Sequence, residues 1–300
     1  MARAADETAG MRRVAIVGVG LIGASFGLAL RKSGFTGSIV GVSSARSIAA
    51  ARERGAIDEG TTLEEAAASS DLIFLSQPIS GIVETLKDLD PLVRRGALVT
   101  DAGSTKTAIQ ETATRWLHNC LFIGGHPMAG KEQRGAEGAD ADLFRGRPWV
   151  LTGSGDRPPD LEAGVALEFR GWLERIGARV IVLDAATHDR LVAWSSHLPQ
   201  LASTALAAVL HDRQPDAAMV AGPGLADMTR LAMSSYDLWR DILDTNRGEV
   251  AAALDAYIAK LQTLRTNFEG EFSNGADFAR GLRKREPGRK SADFKTGTIA

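Results

Sequence analysis

Through residue 185 the chain alternates short β-branched and aliphatic runs with stretches whose apolar residues recur at helical spacing. The runs Arg13–Val17, Ile39–Val42, Leu72–Leu75, Leu98–Asp101, Leu121–Gly124, Pro148–Thr152 and Arg179–Leu183 predict strands. Helices are expected between them at Leu21–Arg31, Ala45–Arg54, Leu63–Ala68, Ile79–Leu86, Thr105–His118 and Pro159–Ile176, the last opened by a surface loop, Gly155–Pro159. Strands alternating with helices argue for a parallel sheet covered on both faces, a doubly wound α/β fold. After Asp184 the strand pattern stops. Thr187–Leu210, Ala217–Ala232 and Tyr236–Phe268 are rich in Ala, Leu and Met and predict helices with long apolar faces, the first kinked at Pro199. The expected organisation is a loose tail over 1–11, an α/β domain over 12–185 and an all-α domain over 186–273. Beyond Asn274 the chain turns basic, and 274–300 reads as a mobile tail.

Composition narrows the class. Three hundred residues suit two domains, each large enough for its own core. A formal charge of −2 gives no basic footprint, so no nucleic-acid partner is expected. A single cysteine, Cys120, excludes an internal disulfide and a cysteine-clustered metal site. No run of about 18 apolar residues appears, so no membrane span is expected, and Met1–Gly10 lacks the apolar core of a signal peptide. A cytoplasmic enzyme without a metal is the resulting expectation.

The first strand runs directly into Gly18-Val19-Gly20-Leu21-Ile22-Gly23 and then a helix, the context in which Gly-x-Gly-x-x-Gly binds a dinucleotide. Gly18 permits the turn, Gly20 admits a pyrophosphate and Gly23 lets the helix pack on the strand. Amides around Leu21 and Ile22 face the phosphates. Gln77 and Pro78, just past the strand Leu72–Leu75, join the expected cofactor set. A carboxylate at the end of the second strand would mark NAD, by bonding the ribose 2′-hydroxyl. That strand ends instead in Ser43-Ser44-Ala45-Arg46, two hydroxyls and a guanidinium suited to a 2′-phosphate. NADP is therefore placed ahead of NAD; Ser44 as a helix cap with Arg46 in solvent is compatible with it.

Candidate chemistry gathers at strand ends and in the first helix of the second domain. His126, within Gly124-Gly125-His126-Pro127-Met128-Ala129-Gly130, reads as an imidazole on an exposed strand-end turn, able to accept an alcohol proton near neutral pH. Ser104, in Asp101-Ala102-Gly103-Ser104-Thr105-Lys106, fits two roles equally. It either orients His126, the substrate and the cofactor, or caps the next helix.

These segments, with Ser196-His197-Leu198-Pro199, Asp227-Met228-Thr229-Arg230 and Leu238-Trp239-Arg240-Asp241-Ile242, resemble the prephenate/arogenate dehydrogenase family of tyrosine biosynthesis over about residues 12–268. The resemblance implies an oxidative decarboxylation of prephenate or arogenate with His126 as base. It also implies Ser104, Ser196 and His197 at the substrate, Arg230 on a substrate carboxylate, and a homodimer formed by the helical domain. Relatives acting on prephenate often carry histidine where this chain has Gln200. A neutral amide there suits the ammonium of arogenate, while Lys131 restores a positive charge nearby. Two other readings stay open: a β-hydroxyacid dehydrogenase or imine reductase, although Thr187–Leu210 contains no lysine, and a non-catalytic NADP-binding sensor.

Overall fold

The computed structural model describes residues 10–153 and 158–285. The tail at 1–9, most of the predicted loop at 154–157, and 286–300 lie outside the described residues. The α/β part runs β1 (Arg13–Val17), α1 (Leu21–Lys32), β2 (Ser38–Val42), α2 (Ala45–Glu53), β3 (Glu59–Gly60), α3 (Leu63–Ser69), β4 (Leu72–Leu75) and α4 (Ile79–Leu89). It continues through β5 (Leu98–Asp101), α5 (Thr107–Trp116), β6 (Leu121–Pro127), β7 (Pro148–Thr152), α6 (Gly164–Arg175) and β8 (Arg179–Leu183).

One eight-stranded sheet results, ordered β3-β2-β1-β4-β5-β6-β7-β8. The expected all-parallel sheet holds from β3 to β6, but β7 pairs antiparallel with β6, and β8 follows β7 in parallel. Residues 128–147 join β6 to β7 without a crossover helix, so nothing obliges β7 to run parallel.

Both faces of the sheet are buried, which explains the near-continuous apolar strands. On β1 and β4, Val14, Ile16, Leu72 and Phe74 enter one core, while Ala15, Val17, Ile73 and Leu75 enter the other. The first core centres on aromatic rings: Phe26 lies 4.5 Å from Phe74, and Trp149 lies 5.0 Å from Phe144.

The helical part is more broken than its pattern predicts. Thr187–Leu210 resolves into α7 (Ala185–Val192), a π turn over Ala193–His197, and α8 (Leu198–Arg213), with Pro199 in the first turn of α8, where a proline costs no hydrogen bond. Gly222-Pro223 divides Ala217–Ala232 into a 3₁₀ turn, α9 (Pro223–Thr229), and a second 3₁₀ turn, Arg230–Met233. Asn246, with φ −126° and ψ 27°, ends α10 (Tyr236–Thr245) before α11 (Arg247–Leu264). α12 (Phe268–Arg285) extends into the basic stretch after Asn274 as far as Arg285, and the rest of the expected mobile tail lies outside the described residues.

By their internal contacts the residues form two compact units, one through Val250 and one from Ala251. Hydrogen bonds tie α7 and α10 into the first unit: Asp189 accepts from the amides of Lys106 and Thr107, and Asp241 accepts from the amide of Ser80 at 2.9 Å. In the second, Lys260 pairs with Glu271 at 3.1 Å. No described helix is long and apolar enough to cross a membrane.

Candidate active site

The glycine loop has the shape its sequence promises. Gly18 sits at φ +91°, and a Cβ there would lie 2.7 Å from the Gln77 amide nitrogen. A Cβ on Gly23 would lie 2.5 Å from the Gly18 carbonyl, whereas Gly20 has nothing within 4 Å of where its Cβ would be. Gly20 caps α1 without a side-chain hydrogen bond, and the first turn holds no acidic residue. Open space above bare helix-terminal amides fits a pyrophosphate. Leu21 and Ile22 pack on the core beneath, Gln77 accepts from Thr85 Oγ1 at 3.0 Å, and Pro78 caps α4. Ser43, Ser44 and Arg46 are exposed at the end of β2, with Ser44 Oγ accepting the Ser47 amide at 3.3 Å.

His126 is not on an exposed turn. β6 extends to Pro127, and His126 pairs with Val150 of β7, half-buried. Its Nδ1 lies 2.8 Å from His188 Nε2, and His188 Nδ1 lies 2.8 Å from Asp189 Oδ1. Asp189 also accepts from the Lys106 amide at 2.7 Å and the Thr107 amide at 2.9 Å. The α5 amides are thus capped by a carboxylate from α7, and Ser104, expected either to cap that helix or to orient His126, makes neither bond.

This chain of partners sets the proton positions. Burial raises the Asp189 carboxyl, but bonds from His188, Thr107 and Lys106 outweigh it and hold it below the usual range, so it is ionised and accepts only. His188 therefore donates from Nδ1, and burial keeps it neutral. Its Nε2 then accepts from His126 Nδ1–H, which leaves His126 Nε2 as a lone pair. The His126 pKa is itself pushed well below its ordinary value, first by burial and then by His188, Lys106 and His197. A neutral imidazole with one nitrogen anchored and the other bearing a lone pair is chemically a base.

Beneath it lies a buried ion pair. Lys106 and Asp101 are fully buried side chains in direct contact, and Lys106 Nζ also donates to the Gly125 carbonyl at 2.7 Å. Asp101 accepts the Gly103 and Gly125 amides at 2.7 and 3.0 Å. The strand segment ending in His126 is thereby fixed to β5.

The helical residues are placed unevenly. His197, in the π turn, is buried against the Trp239 ring and lies 3.4 Å from Asn246 Nδ2; burial pushes its pKa down to about 4. Asn246 in turn donates to the Asp189 carbonyl at 2.8 Å, so His197 is linked to the relay through Asn246. Ser196 is half-buried beside it. Gln200 is buried and donates to the Leu231 carbonyl at 2.8 Å, securing the turn that carries Arg230 rather than facing outward. Three cations of the expected ligand set already have carboxylate partners, all from the β6–β7 segment: Lys131 with Asp140, Arg230 with Glu132 at 3.8 Å, and Arg46 with Glu137 at 3.6 Å.

Sequence reasoning missed His188, Asp189, Asn246 and the acidic partners. His188-Asp189 did carry a signal: one of five histidines beside a carboxylate, at the start of the helix that leads to Ser196-His197.

Comparison with known proteins identifies the family of the chain. Residues 26–182 match the nucleotide-binding domain of prephenate dehydrogenase, and residues 184–284 its dimerization domain. Prephenate dehydrogenase of Lactococcus lactis is 34% identical over 79% of this chain, which spans 65% of that protein's length. Aquifex aeolicus prephenate dehydrogenase, solved with hydroxyphenyl propionate and NAD+, superposes with a TM-score of 0.78 at 31% identity, covering 92% of this chain and 98% of that one. Synechocystis arogenate dehydrogenase gives a TM-score of 0.73 at 33% identity, with 91% and 99% covered. The chain belongs to the prephenate dehydrogenase family.

Proposed function

We propose that this protein oxidatively decarboxylates prephenate or arogenate, with His126 Nε2 as the base. The observation that carries the proposal is the His126–His188–Asp189 relay, which leaves a lone pair on the one ring nitrogen not used for anchoring. His126 takes the proton of the ring C4 hydroxyl as a hydride leaves C4. The bond from C1 to the ring carboxylate breaks, its electron pair completes the aromatic ring, and CO₂ departs. Prephenate would yield 4-hydroxyphenylpyruvate, and arogenate tyrosine. The nicotinamide cofactor, when bound, supplies the hydride acceptor. Gly18, Gly20, Leu21, Ile22 and Gly23 would hold its pyrophosphate.

The lack of a carboxylate at the end of β2, together with Ser43, Ser44 and Arg46, supports NADP over NAD. Arg230 is half-exposed and held only by a 3.8 Å contact to Glu132, so a substrate carboxylate would displace that partner for a bidentate pair. Exposed Met219, Val220, Met228 and Met233 supply apolar area for a homodimer formed by the helical region. Assaying the protein with prephenate and with arogenate, each with NAD and with NADP, tests this reading. Reduced cofactor formed fastest with NADP supports it; no turnover in any pairing would favour a cofactor-binding sensor.

A further inference from the structure

We propose that Glu137, on the segment between β6 and β7, is a specificity-determining residue for the cofactor: it competes with the 2′-phosphate of NADP for Arg46. The inference rests on reading Ser43–Arg46 as the 2′ subsite.

The carboxylate missing from the end of β2 arrives from elsewhere in the chain. Glu137 Oε1 lies 3.6 Å from Arg46 Nη2. Its position is built rather than incidental. Ala136, one residue earlier, is buried in the core beneath α1. The Asp140 amide donates to Ser25 Oγ of α1 at 2.9 Å, and Arg54, at the end of α2, donates to the Ala139 carbonyl at 2.7 Å. Both helices that frame the cofactor end of β1 and β2 thus grip the segment carrying Glu137. Gly135 makes the placement possible. It sits at φ +76°, a left-handed turn that favours glycine and leads directly into Ala136 and Glu137.

The pair is poorly suited to a stabilising role. The Arg46 side chain is 90% exposed and that of Glu137 56% exposed, a setting in which ion pairs add little to folding. Its consequence falls on a ligand. A 2′-phosphate that takes Arg46 comes within a few ångströms of the Glu137 carboxylate, and like charges at that range repel. A ribose 2′-hydroxyl meets no such repulsion and can donate to the same carboxylate, as it does to the acid of NAD-binding sites. Arg46 favours NADP and Glu137 opposes it, so the subsite is a hybrid with a moderated preference.

The test is a fluorescence titration of the full chain with NADPH and with NADH, without substrate and at low salt, for wild type, Glu137→Gln, Glu137→Ala and Arg46→Ala. Both Glu137 variants should tighten NADPH binding by about fivefold and leave NADH equal or weaker. Arg46→Ala should weaken NADPH. If the Glu137 variants leave NADPH affinity unchanged while Arg46→Ala weakens it, the inference fails and the 2′ subsite stands. If none of the three variants changes NADPH affinity, both fail.

Discussion

Replacing Asp189 by Asn changes one oxygen into an NH₂ and removes the charge that fixes every proton in the relay. Asp189 Oδ1 accepts from His188 Nδ1 and from the Lys106 amide, and Oδ2 accepts from the Thr107 amide. An asparagine with its NH₂ toward His188 opposes the Lys106 N–H and sets a donor against Nδ1, so in that orientation His188 must carry its proton on Nε2. His126 then accepts at Nδ1, is protonated at Nε2 and has no lone pair for the substrate. Turned the other way, the NH₂ opposes the Thr107 N–H, and a neutral oxygen in place of the carboxylate holds the His188 tautomer only weakly. Hydrogen bonds to charged groups contribute about 1.5–3 kcal/mol each. Only the bond to His188 selects the tautomer, so the catalytic cost is about 1.5–3 kcal/mol, a loss in kcat of roughly 10- to 100-fold. The two amide bonds bear on folding, and a drop in Tm is expected alongside. Steady-state rates from reduced-nicotinamide absorbance, with NADPH affinity measured in parallel, separate these effects. kcat should fall with KM and cofactor affinity nearly unchanged. A folded Asp189→Asn protein with kcat within about twofold of wild type would refute the relay as the origin of the tautomer.

Other outcomes follow from the same structure. Lys106→Met leaves the Asp101 carboxylate buried and unpaired, so urea denaturation should show a loss of about 3–5 kcal/mol, partly recovered in the Asp101→Asn/Lys106→Met double variant. His188 and His197 are buried and keep their pKa values below the ordinary 6.5. The unfolded chain therefore binds protons that the folded one refuses. Their contribution is complete above about pH 6.5 and falls with decreasing pH, by up to about 1.4 kcal/mol per unit for each histidine. Thermal melts taken between neutral pH and about pH 5 should show Tm dropping throughout, and a flat profile would contradict the buried neutral assignment. Gly18→Ala requires an alanine at φ +91° with its Cβ 2.7 Å from the Gln77 nitrogen, so NADPH affinity should fall by more than about tenfold.

What was legible in the sequence is what is local. The seven expected strands match because their β-branched runs lie in a sheet buried on both faces, and the turn at Gly18 and the helix start at Leu21 match because turn and cap geometry are set within six residues. β3 is only two residues long and leaves no pattern to read. The helical breaks at Gly222-Pro223 and Asn246 were hidden by uninterrupted apolar spacing, since periodicity records a buried face and not whether one helix or two supply it. The site divides in the same way. His126 stands out by its glycine–proline setting, but its partner His188 comes from a helix 62 residues away, and the contact exists only after β6 and α7 meet. Glu137 was invisible for the same reason: the expectation looked for a carboxylate at the end of β2, and the chain supplies one from the far side of the sheet order.

The central claim is that His126 Nε2 receives the substrate's proton. It is tested most directly by the turnover of His126→Asn with the better of prephenate and arogenate, measured beside its NADPH affinity. A positioned general base contributes about 10²–10⁴-fold, so kcat should fall by at least about a hundredfold while NADPH still binds as in wild type. A variant that binds NADPH normally and turns over within about tenfold of wild type would contradict the account.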